Sequence, residues 1–485
     1  MKILIINLVI LLCLNQKVMC DPFFETLSEH FNNIAISMTK TFSNIKYHMS
    51  QMFSPPESPV PPPPVQPTTR QYGEFNYKRT YNDFVEKTAA ENETDIPEYI
   101  NLKSEPTALM STPQLATLHG RRMESHVINT KDGYLLTLHR ISPKLDNTLN
   151  NRTIILHHGL LGSSADWVML GPTKSLPYIL SDIGYDVWLP NARGNYYSRG
   201  HIKMAVDSEE FWRFSFQEMG EYDLAAVIDY IRSVKNSNDL IDYVGHSMGA
   251  TALLVLLSTT PRYNQYLRIG VLLAPLAFMS NVDGPFKALT AMALNPPDQL
   301  LKLIGRKEFV PSRKMPKWLA LKYCKGPLLF CCNPLYFISG GIPQDITTWK
   351  VSFLARLLYH VPAGGSTDTM LHYAQIVKSG KFHRFNNAND QFSLNAVTVP
   401  MALFSSSDDW LATIPDLLRL YFSIANPIDH YIIRGKNMSH TEFVWGANAE
   451  ELVYKKVLDF LDQGIKIFSG SKSNEISDLS FLSLR

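Results

Sequence analysis

Residues 240–251 read LIDYVGHSMGAT, and the fold of the whole chain can be built outward from them. An apolar run ends in the pattern Gly-x-Ser-x-Gly, and the apolar segment that follows is typical of a buried helix. Gly245 and Gly249 remove side chains that would crowd a tight strand-to-helix turn, while Ser247 stands clear of the backbone at a helix N-terminus, where free N–H groups favour negative charge. We therefore identify Ser247 as a candidate nucleophile.

A serine nucleophile requires a base and a carboxylate that orients the base. In α/β-hydrolases, in which the serine lies on a turn similar to this one, the chain order is serine, acid, histidine, and we expect the same order here. A short apolar strand at 399–404 is followed by SSSDDWL, so Asp408 and Asp409 are both candidates for the acid on spacing alone. A loop after the last predicted strand leads to His440, which we expect to be the base. His430 is placed at the start of that strand, at the wrong end for a site above its carboxyl edge.

Residues 155–162, ILHHGLLG, run from a predicted strand into a glycine-containing loop. A tetrahedral intermediate needs N–H donors directed at the developing oxyanion, and we expect one from this loop and one from Met248, next to the nucleophile. His157 and His158 are neighbours in the strand and point to opposite faces of the sheet, so they are not expected to bind one metal ion.

Short apolar strands alternate with helical segments between residues 98 and 463, which predicts an α/β fold with a mostly parallel sheet and helices on both faces. The stretch from about 279 to 394 interrupts this rhythm and is rich in Pro, Leu, Phe, Lys and Tyr. Because it falls between two sheet strands, we interpret it as an inserted apolar cap, which would suit a substrate with a long hydrocarbon part. Residues 464–485 are predicted to be a C-terminal tail.

The N-terminal residues have a different character. Residues 1–20 have the charge and the apolar core of a secretory signal peptide, with cleavage expected before Asp21, and neither this run nor any later one is long enough to span a bilayer. Residues 21–53 carry one apolar helical stripe. Because the polar face is not strongly basic, we favour a helix packed on its own protein or on a partner helix over a helix on a lipid surface. Residues 54–97 form a Pro-rich and polar linker.

The composition excludes some classes of function and partner. The chain has 485 residues and a net charge of +2 without a basic block, so nucleic acid is not an expected partner.

Apart from two cysteines in the signal region, the chain has Cys324, Cys331 and Cys332. If the chain is exported, we expect a disulfide between Cys324 and one of the other two, which leaves one free thiol. The spacing of these cysteines is unlike that of a zinc site. Asn92 and Asn151 begin glycosylation sequons.

Several segments carry a resemblance to a known family: residues 158–161 (HGLL), 184–189 (GYDVWL), 191–195 (NARGN), 245–249 (GHSMG), 362–366 (PAGGS) and 409–412 (DWLA). Together they resemble the acid lipase family of α/β-hydrolases, which includes gastric and lysosomal lipases and insect relatives, over residues 112–461. The resemblance implies Ser247 as nucleophile, Asp409 rather than Asp408 as acid, and His440 as base. It also implies an oxyanion hole from the N–H groups of Leu160 and Met248, a cap with a mobile lid, and hydrolysis of acylglycerols or sterol esters with no metal or other cofactor.

The chain also departs from that family. Met248 stands where glutamine is common, but a backbone donor does not depend on the side chain. Ser339 replaces the third cap cysteine of gastric lipases and Cys332 is additional, so the disulfide pairing stays open. A third sequon begins at Asn437, close to His440, and we expect it to stay unmodified because a glycan would crowd the mouth of the site.

The sequence leaves three functions open. We expect a lipid-ester hydrolase that acts at a lipid interface, secreted or, as a second choice, lysosomal. A non-catalytic lipid carrier of the yolk-protein kind would not need a nucleophile, an acid and a base together. A short-chain carboxylesterase would not need the long apolar insertion. The sequence does not determine the preferred lipid or the oligomeric state.

Overall fold

A computed structural model describes residues 110–143, 152–284, 307–309 and 351–470, together with Thr107 and positions 286, 287, 290 and 291. Several predictions lie outside these residues: the signal peptide, the helix at 21–53 and the linker at 54–97. The cysteines Cys324, Cys331 and Cys332 and the sequon asparagines Asn92 and Asn151 lie outside them as well.

The helices and strands alternate along the described chain. The helices are α1 (Thr112–Leu118), α2 (Leu176–Asp182), α3 (Phe216–Glu218), α4 (Ala225–Lys235), α5 (Met248–Thr259), α6 (Val351–His360), α7 (Thr367–Ser379), α8 (Ile414–Ser423), α9 (Glu442–Trp445) and α10 (Lys455–Gly470). The strands are β1 (Met123–Asn129), β2 (Tyr134–Ile141), β3 (Thr153–His157), β4 (Asp186–Pro190), β5 (Gly200–His201), β6 (Ile241–His246), β7 (Leu267–Leu273), β8 (Glu308–Phe309), β9 (Gly365–Ser366), β10 (His383–Arg384), β11 (Asn387–Gln391), β12 (Met401–Ser406) and β13 (Pro427–Ile433).

One large sheet organises the described residues. Its strands follow the order β1-β2-β4-β3-β6-β7-β12-β13, with β5 paired to β2. Six neighbouring strands of this order run parallel: β4, β3, β6, β7, β12 and β13. β2 is antiparallel to both β1 and β4. Every residue of β3, β4, β6 and β7 is buried, which explains why these strands read as short continuous apolar runs rather than as alternating ones. The predicted mostly parallel sheet is confirmed.

A β-hairpin forms the N-terminal edge of the sheet. β1 and β2 pair as antiparallel neighbours around the turn at residues 131–133. Most of β1 is half-buried or exposed, in contrast to the central strands, because it forms the edge of the sheet. The central strands β3 and β6 therefore lie well inside the molecule, and the loops at their carboxyl ends meet there.

The helix after the nucleophile strand is apolar on all sides. In α5, ten consecutive residues from Met248 to Leu257 are buried, as predicted for the apolar segment after the Gly-x-Ser-x-Gly turn. The helical segment before β6 is more complex, because α3 continues through a π-helical turn at Met219–Leu224 into α4. Within this segment, α4 has the amphipathic pattern of a surface helix, with Val227, Ile228 and Ile231 buried.

The insertion expected between two sheet strands lies between β7 and β12. Its described part contains α6 and α7 and two small antiparallel pairs, β8–β9 and β10–β11. At the C-terminal end, α10 continues to Gly470, past residue 463, where the sequence analysis placed the start of the tail. No described helix is long and apolar enough to cross a bilayer.

Candidate active site

Ser247 lies between β6 and α5 in a backbone conformation that few residues with a side chain adopt, with φ at 52° and ψ at −116°. Close packing makes glycine necessary on both sides of it. A Cβ atom at Gly245 would come within 2.7 Å of the Ala250 nitrogen, and one at Gly249 within 2.5 Å of the His157 carbonyl oxygen. The predicted reason for the two glycines, steric crowding of the turn, is therefore the one that the structure gives.

Three side chains that are far apart in the sequence meet at the carboxyl edge of the sheet. The Ser247 hydroxyl donates to His440 Nε2, with 2.7 Å between Oγ and the nitrogen, and His440 Nδ1–H donates to Asp409 Oδ2 at 2.8 Å. All three residues are buried. Asp409 Oδ1 accepts from the backbone N–H groups of Leu411 and Ala412, so the carboxylate is held in one orientation.

The structure also places the rival residues. Asp408 turns away from the imidazole, and its Oδ2 accepts from the Met438 N–H at 3.2 Å. His430 lies in the middle of β13 rather than at its start, and its Nε2 is 2.8 Å from Ser405 Oγ. Asn437 is exposed while the residues from Met438 to His440 are buried, so the lack of a glycan at Asn437 stays a prediction.

His246 was not singled out from the sequence, yet it contacts the base. Its Nε2–H donates to the backbone carbonyl of His440 at 2.9 Å, and the two rings are 5.1 Å apart. Burial lowers the pKa of His246 to about 3, so the ring stays neutral and keeps this donor. The residue before the nucleophile thus fixes the backbone of the base.

The loop after β3 has a defined histidine tautomer at its start. His158 Nε2 accepts from the Ala192 N–H at 3.1 Å, so its proton is on Nδ1, which donates to the Gly159 carbonyl at 2.8 Å. Burial lowers the pKa of His158 to about 4, which keeps the ring neutral. Next in the loop, the N–H of Leu160 has no hydrogen-bond partner among the described residues, and the same holds for the N–H of Met248.

A buried ion-pair cluster lies next to Ala192, which contacts this loop. Arg193 is only 1% exposed, and it binds Asp132 through Nη1 at 2.6 Å and Asp223 through Nε at 2.7 Å. The guanidinium also lies 4.0 Å from the centre of the Tyr134 ring. Removing one partner would leave a buried charge uncompensated, so this cluster fixes the loop after β4 to the β1–β2 turn and to the π-helical turn at Met219–Leu224.

A narrow cavity opens beside Ser247. It is lined by Gly159, Leu160, Asp166, His246, Ser247, Leu276, Phe286, Leu411, His440, Thr441 and Trp445. Apart from the serine and the two histidines, the ionisable side chain in this lining is Asp166, which the sequence did not flag. It lies in a single turn of 3-10 helix, Ser164–Trp167, where a lone aspartate carries no periodic or motif signal.

No cluster of side chains that could hold a metal ion occurs among the residues that the structure describes. The rings of His157, the last residue of β3, and of His158, the residue after it, lie 5.5 Å apart, but their nitrogen atoms have different partners. His157 Nδ1 lies 2.8 Å from the Tyr243 hydroxyl, whereas His158 faces Ala192 and Gly159.

Comparison with known proteins gives two family matches. Residues 112–171 match the family described as partial alpha/beta-hydrolase lipase region, and residues 152–312 match the alpha/beta hydrolase fold. The chain is 35% identical to Lipase 3 of Drosophila melanogaster over 356 residues, which cover 70% of this chain and 89% of that protein. It is 35% identical to gastric triacylglycerol lipase of Mus musculus over 375 residues, 73% of this chain and 92% of that protein. It is 33% identical to lysosomal acid lipase/cholesteryl ester hydrolase of Homo sapiens over 376 residues, 74% of this chain and 92% of that protein.

Proposed function

Because the chain belongs to the acid lipase family of α/β-hydrolases, we propose that it is a serine lipase that hydrolyses carboxylic esters of lipids, acylglycerols or sterol esters, through an acyl-enzyme on Ser247. The observation that carries this proposal is the unbroken chain of hydrogen bonds from the Ser247 hydroxyl through His440 to Asp409.

In the first step, Ser247 Oγ attacks the ester carbonyl carbon while its proton passes to His440 Nε2. The imidazolium that forms is stabilised by the Asp409 carboxylate on Nδ1. The negative charge that develops on the carbonyl oxygen is expected to be bound by the N–H groups of Leu160 and Met248, whose donors have no other partner among the described residues. His440 then gives its proton to the departing alkoxide, and the alcohol leaves.

In the second step, His440 takes a proton from water, and the resulting hydroxide attacks the acyl-enzyme. Collapse of the second tetrahedral intermediate returns the proton from His440 to Ser247 Oγ and releases the fatty acid. Because the three side chains are buried, the local dielectric constant is low, which strengthens the charge-assisted contacts among them.

The apolar lining of the cavity supports a hydrocarbon substrate. Leu276, Phe286, Leu411 and Trp445 surround the space beside the nucleophile, as an acyl chain requires. We place the activity outside the cell, with the lysosome as the second choice. A non-catalytic lipid carrier on this fold has no use for a strained serine in contact with an oriented imidazole, so the site geometry favours the enzyme.

The test is hydrolysis of an emulsified triacylglycerol and of a cholesteryl ester by the full chain and by Ser247→Ala. We expect the variant to lose turnover by about a millionfold, into the background, while its melting temperature stays close to that of the parent. Ser423→Ala is a matched control, because that hydroxyl bonds only a carbonyl of its own helix. Turnover retained by purified Ser247→Ala would end the assignment.

A further inference from the structure

His157 ends β3 directly before the loop that carries Leu160, and the proposed mechanism gives its side chain no role. Its Nδ1 lies 2.8 Å from the Tyr243 hydroxyl, and that hydroxyl donates to the Gly249 carbonyl at 2.7 Å. Because the tyrosine gives its one proton to Gly249, the imidazole must be the donor of the other bond, through Nδ1–H. We call this chain of two hydrogen bonds the His157–Tyr243–Gly249 bridge. It joins β3, β6 and the first turn of α5.

The bridge is buried and uncharged. Tyr243 has no exposed surface, and His157 is 2% exposed. Burial lowers the pKa of the imidazole and raises the pKa of the phenol, so both groups stay neutral and keep the protons that the bridge requires. At this depth bulk water cannot replace a lost partner, so removal of the hydroxyl would leave the His157 N–H without an acceptor.

The register of the sheet explains how the bridge fits. His157 pairs with Gly245 at the end of the β3–β6 ladder, and Tyr243 stands two residues before Gly245. Residues two apart in a strand share a face, so the imidazole and the phenol lie on the same side of the sheet. A Cβ atom at Gly245 would come within 2.8 Å of the Tyr243 ring, so this glycine leaves room for the ring beside the turn.

The bridge lies where the two segments that carry the expected oxyanion donors separate. The Leu160 N–H follows His157 by three residues, and the Met248 N–H immediately precedes Gly249. The pairing of β3 with β6 ends at His157, so the sheet ladder does not hold the two segments together beyond that residue. The bridge, together with the close approach of Gly249 to the His157 carbonyl, then fixes their separation.

We propose that Tyr243 and His157 are positioning residues for the oxyanion hole, because the bridge that they form sets the spacing between its two N–H donors. The proposal rests on the proposed lipase function. Both donors must reach one oxygen atom of the tetrahedral intermediate, so a change in their spacing weakens binding of the transition state more than binding of the substrate. Loss of the bridge should therefore lower kcat and leave KM nearly unchanged.

The test compares a p-nitrophenyl ester with its thiono analogue, in which sulfur replaces the carbonyl oxygen. Sulfur is the weaker hydrogen-bond acceptor, so an intact oxyanion hole favours the oxygen ester, and the ratio of the two kcat/KM values reports on the hole. Tyr243→Phe should lower this ratio and the kcat for the oxygen ester about tenfold, less than the roughly hundredfold loss when a donor is removed outright. A smaller folded fraction would lower both rates equally and leave the ratio unchanged.

A buried tyrosine far from the site provides the matched control. Tyr185 directly precedes β4 at the amino edge of the sheet, and its hydroxyl accepts from Arg152 Nη1 at 3.3 Å. Tyr185→Phe should therefore have the ratio of the parent, although it also loses a buried hydroxyl.

Variants of His157 decide the question even where Tyr243→Phe does not fold. His157→Asn keeps an N–H donor near the position of Nδ1 and should keep the ratio, whereas His157→Leu has no donor and should lower it. Because both side chains act through one bridge, adding His157→Leu to Tyr243→Phe should lower the ratio no further.

An unchanged ratio in Tyr243→Phe or in His157→Leu, an equal fall in Tyr185→Phe, or additive losses in the double variant would overturn the proposal. A parent that hydrolyses no ester would instead overturn the lipase function on which the proposal rests.

Discussion

At the scale of single residues, the backbone of Ser247 is the most constrained feature of the site. A φ of 52° on a residue with a side chain costs on the order of 1–3 kcal/mol. The turn persists because the Ser247 N–H donates to the Leu273 carbonyl at 2.9 Å and because α5 is buried on all sides. The strain holds the hydroxyl above the sheet, where His440 reaches it.

The two adjacent aspartates allow a matched test of the base's partner. Asp409→Asn should lower kcat by about four orders of magnitude, because the amide favours the wrong imidazole tautomer and leaves the imidazolium unstabilised. Asp408→Asn should stay near the parent, since an amide oxygen can still accept from the Met438 N–H. Steady-state kinetics on one soluble ester measures both. A large loss in Asp408→Asn with activity kept in Asp409→Asn would reverse the assignment.

Sequence reasoning reached the triad residues but not two other residues of the site. Ser247, the aspartate pair and His440 could be predicted because each follows a recognisable strand. His246 and Asp166 gave no such signal, because their significance depends on neighbours far away in the chain, the His440 carbonyl and the cavity wall. The choice of Asp409 over Asp408 also needed the resemblance, since spacing alone allowed both.

At the scale of elements, the central strands β3, β4, β6 and β7 were predictable because full burial makes them short apolar runs. The π-helical turn at Met219–Leu224 was not, because its sequence continues an ordinary helical pattern into α4. The position of His430 within β13 shows the same limit, since strand ends are set by pairing with β12 rather than by composition.

The packing of α5 against the loop after β3 can be tested at Gly249. Gly249→Ala would place a methyl group 2.5 Å from the His157 carbonyl oxygen and 2.9 Å from that of His158. We expect a loss of about 1–3 kcal/mol in unfolding free energy and a marked fall in kcat, because the loop after β3, which carries the Leu160 N–H, must move away from the added methyl group. Calorimetry and ester kinetics measure the two effects.

Gly200→Ala is the control for this prediction, because the nearest atoms to its added methyl group all belong to the Leu135 side chain, at 3.2 Å or more. It should keep its activity. Parent-like stability and kcat in Gly249→Ala would contradict close packing of the strand-to-helix turn around Ser247.

At the scale of the whole molecule, buried neutral histidines link folding to pH. Burial lowers the pKa of five buried histidines below its usual value: His139, His157, His158, His246 and His372. Because the unfolded chain protonates these rings near pH 6.5, their contribution to stability is complete above that pH and is lost as pH falls towards the folded values. Three buried carboxyls with raised pKa act in the opposite sense, Asp166, Asp223 and Asp242, but they are fewer.

We therefore expect the unfolding free energy to decrease from pH 6.5 to pH 4. His372, stacked 3.9 Å from Phe216 with a pKa lowered to about 3, allows one contribution to be measured. His372→Gln should flatten the decline by about 1.4 kcal/mol per pH unit in guanidinium titrations. Above pH 7 the two proteins should show the same pH slope. Parallel curves between pH 6.5 and 4 would contradict a neutral buried ring.

The account as a whole depends on Ser247 as the nucleophile that His440 activates. The most direct measurement is mass spectrometric mapping after reaction with a long-chain alkylphosphonate p-nitrophenyl ester, which traps an activated serine covalently. We predict one label per chain, on Ser247, with lipid-ester hydrolysis lost in proportion and no labelling in His440→Ala. A label on another residue, or hydrolysis that continues when Ser247 is fully labelled, would contradict it.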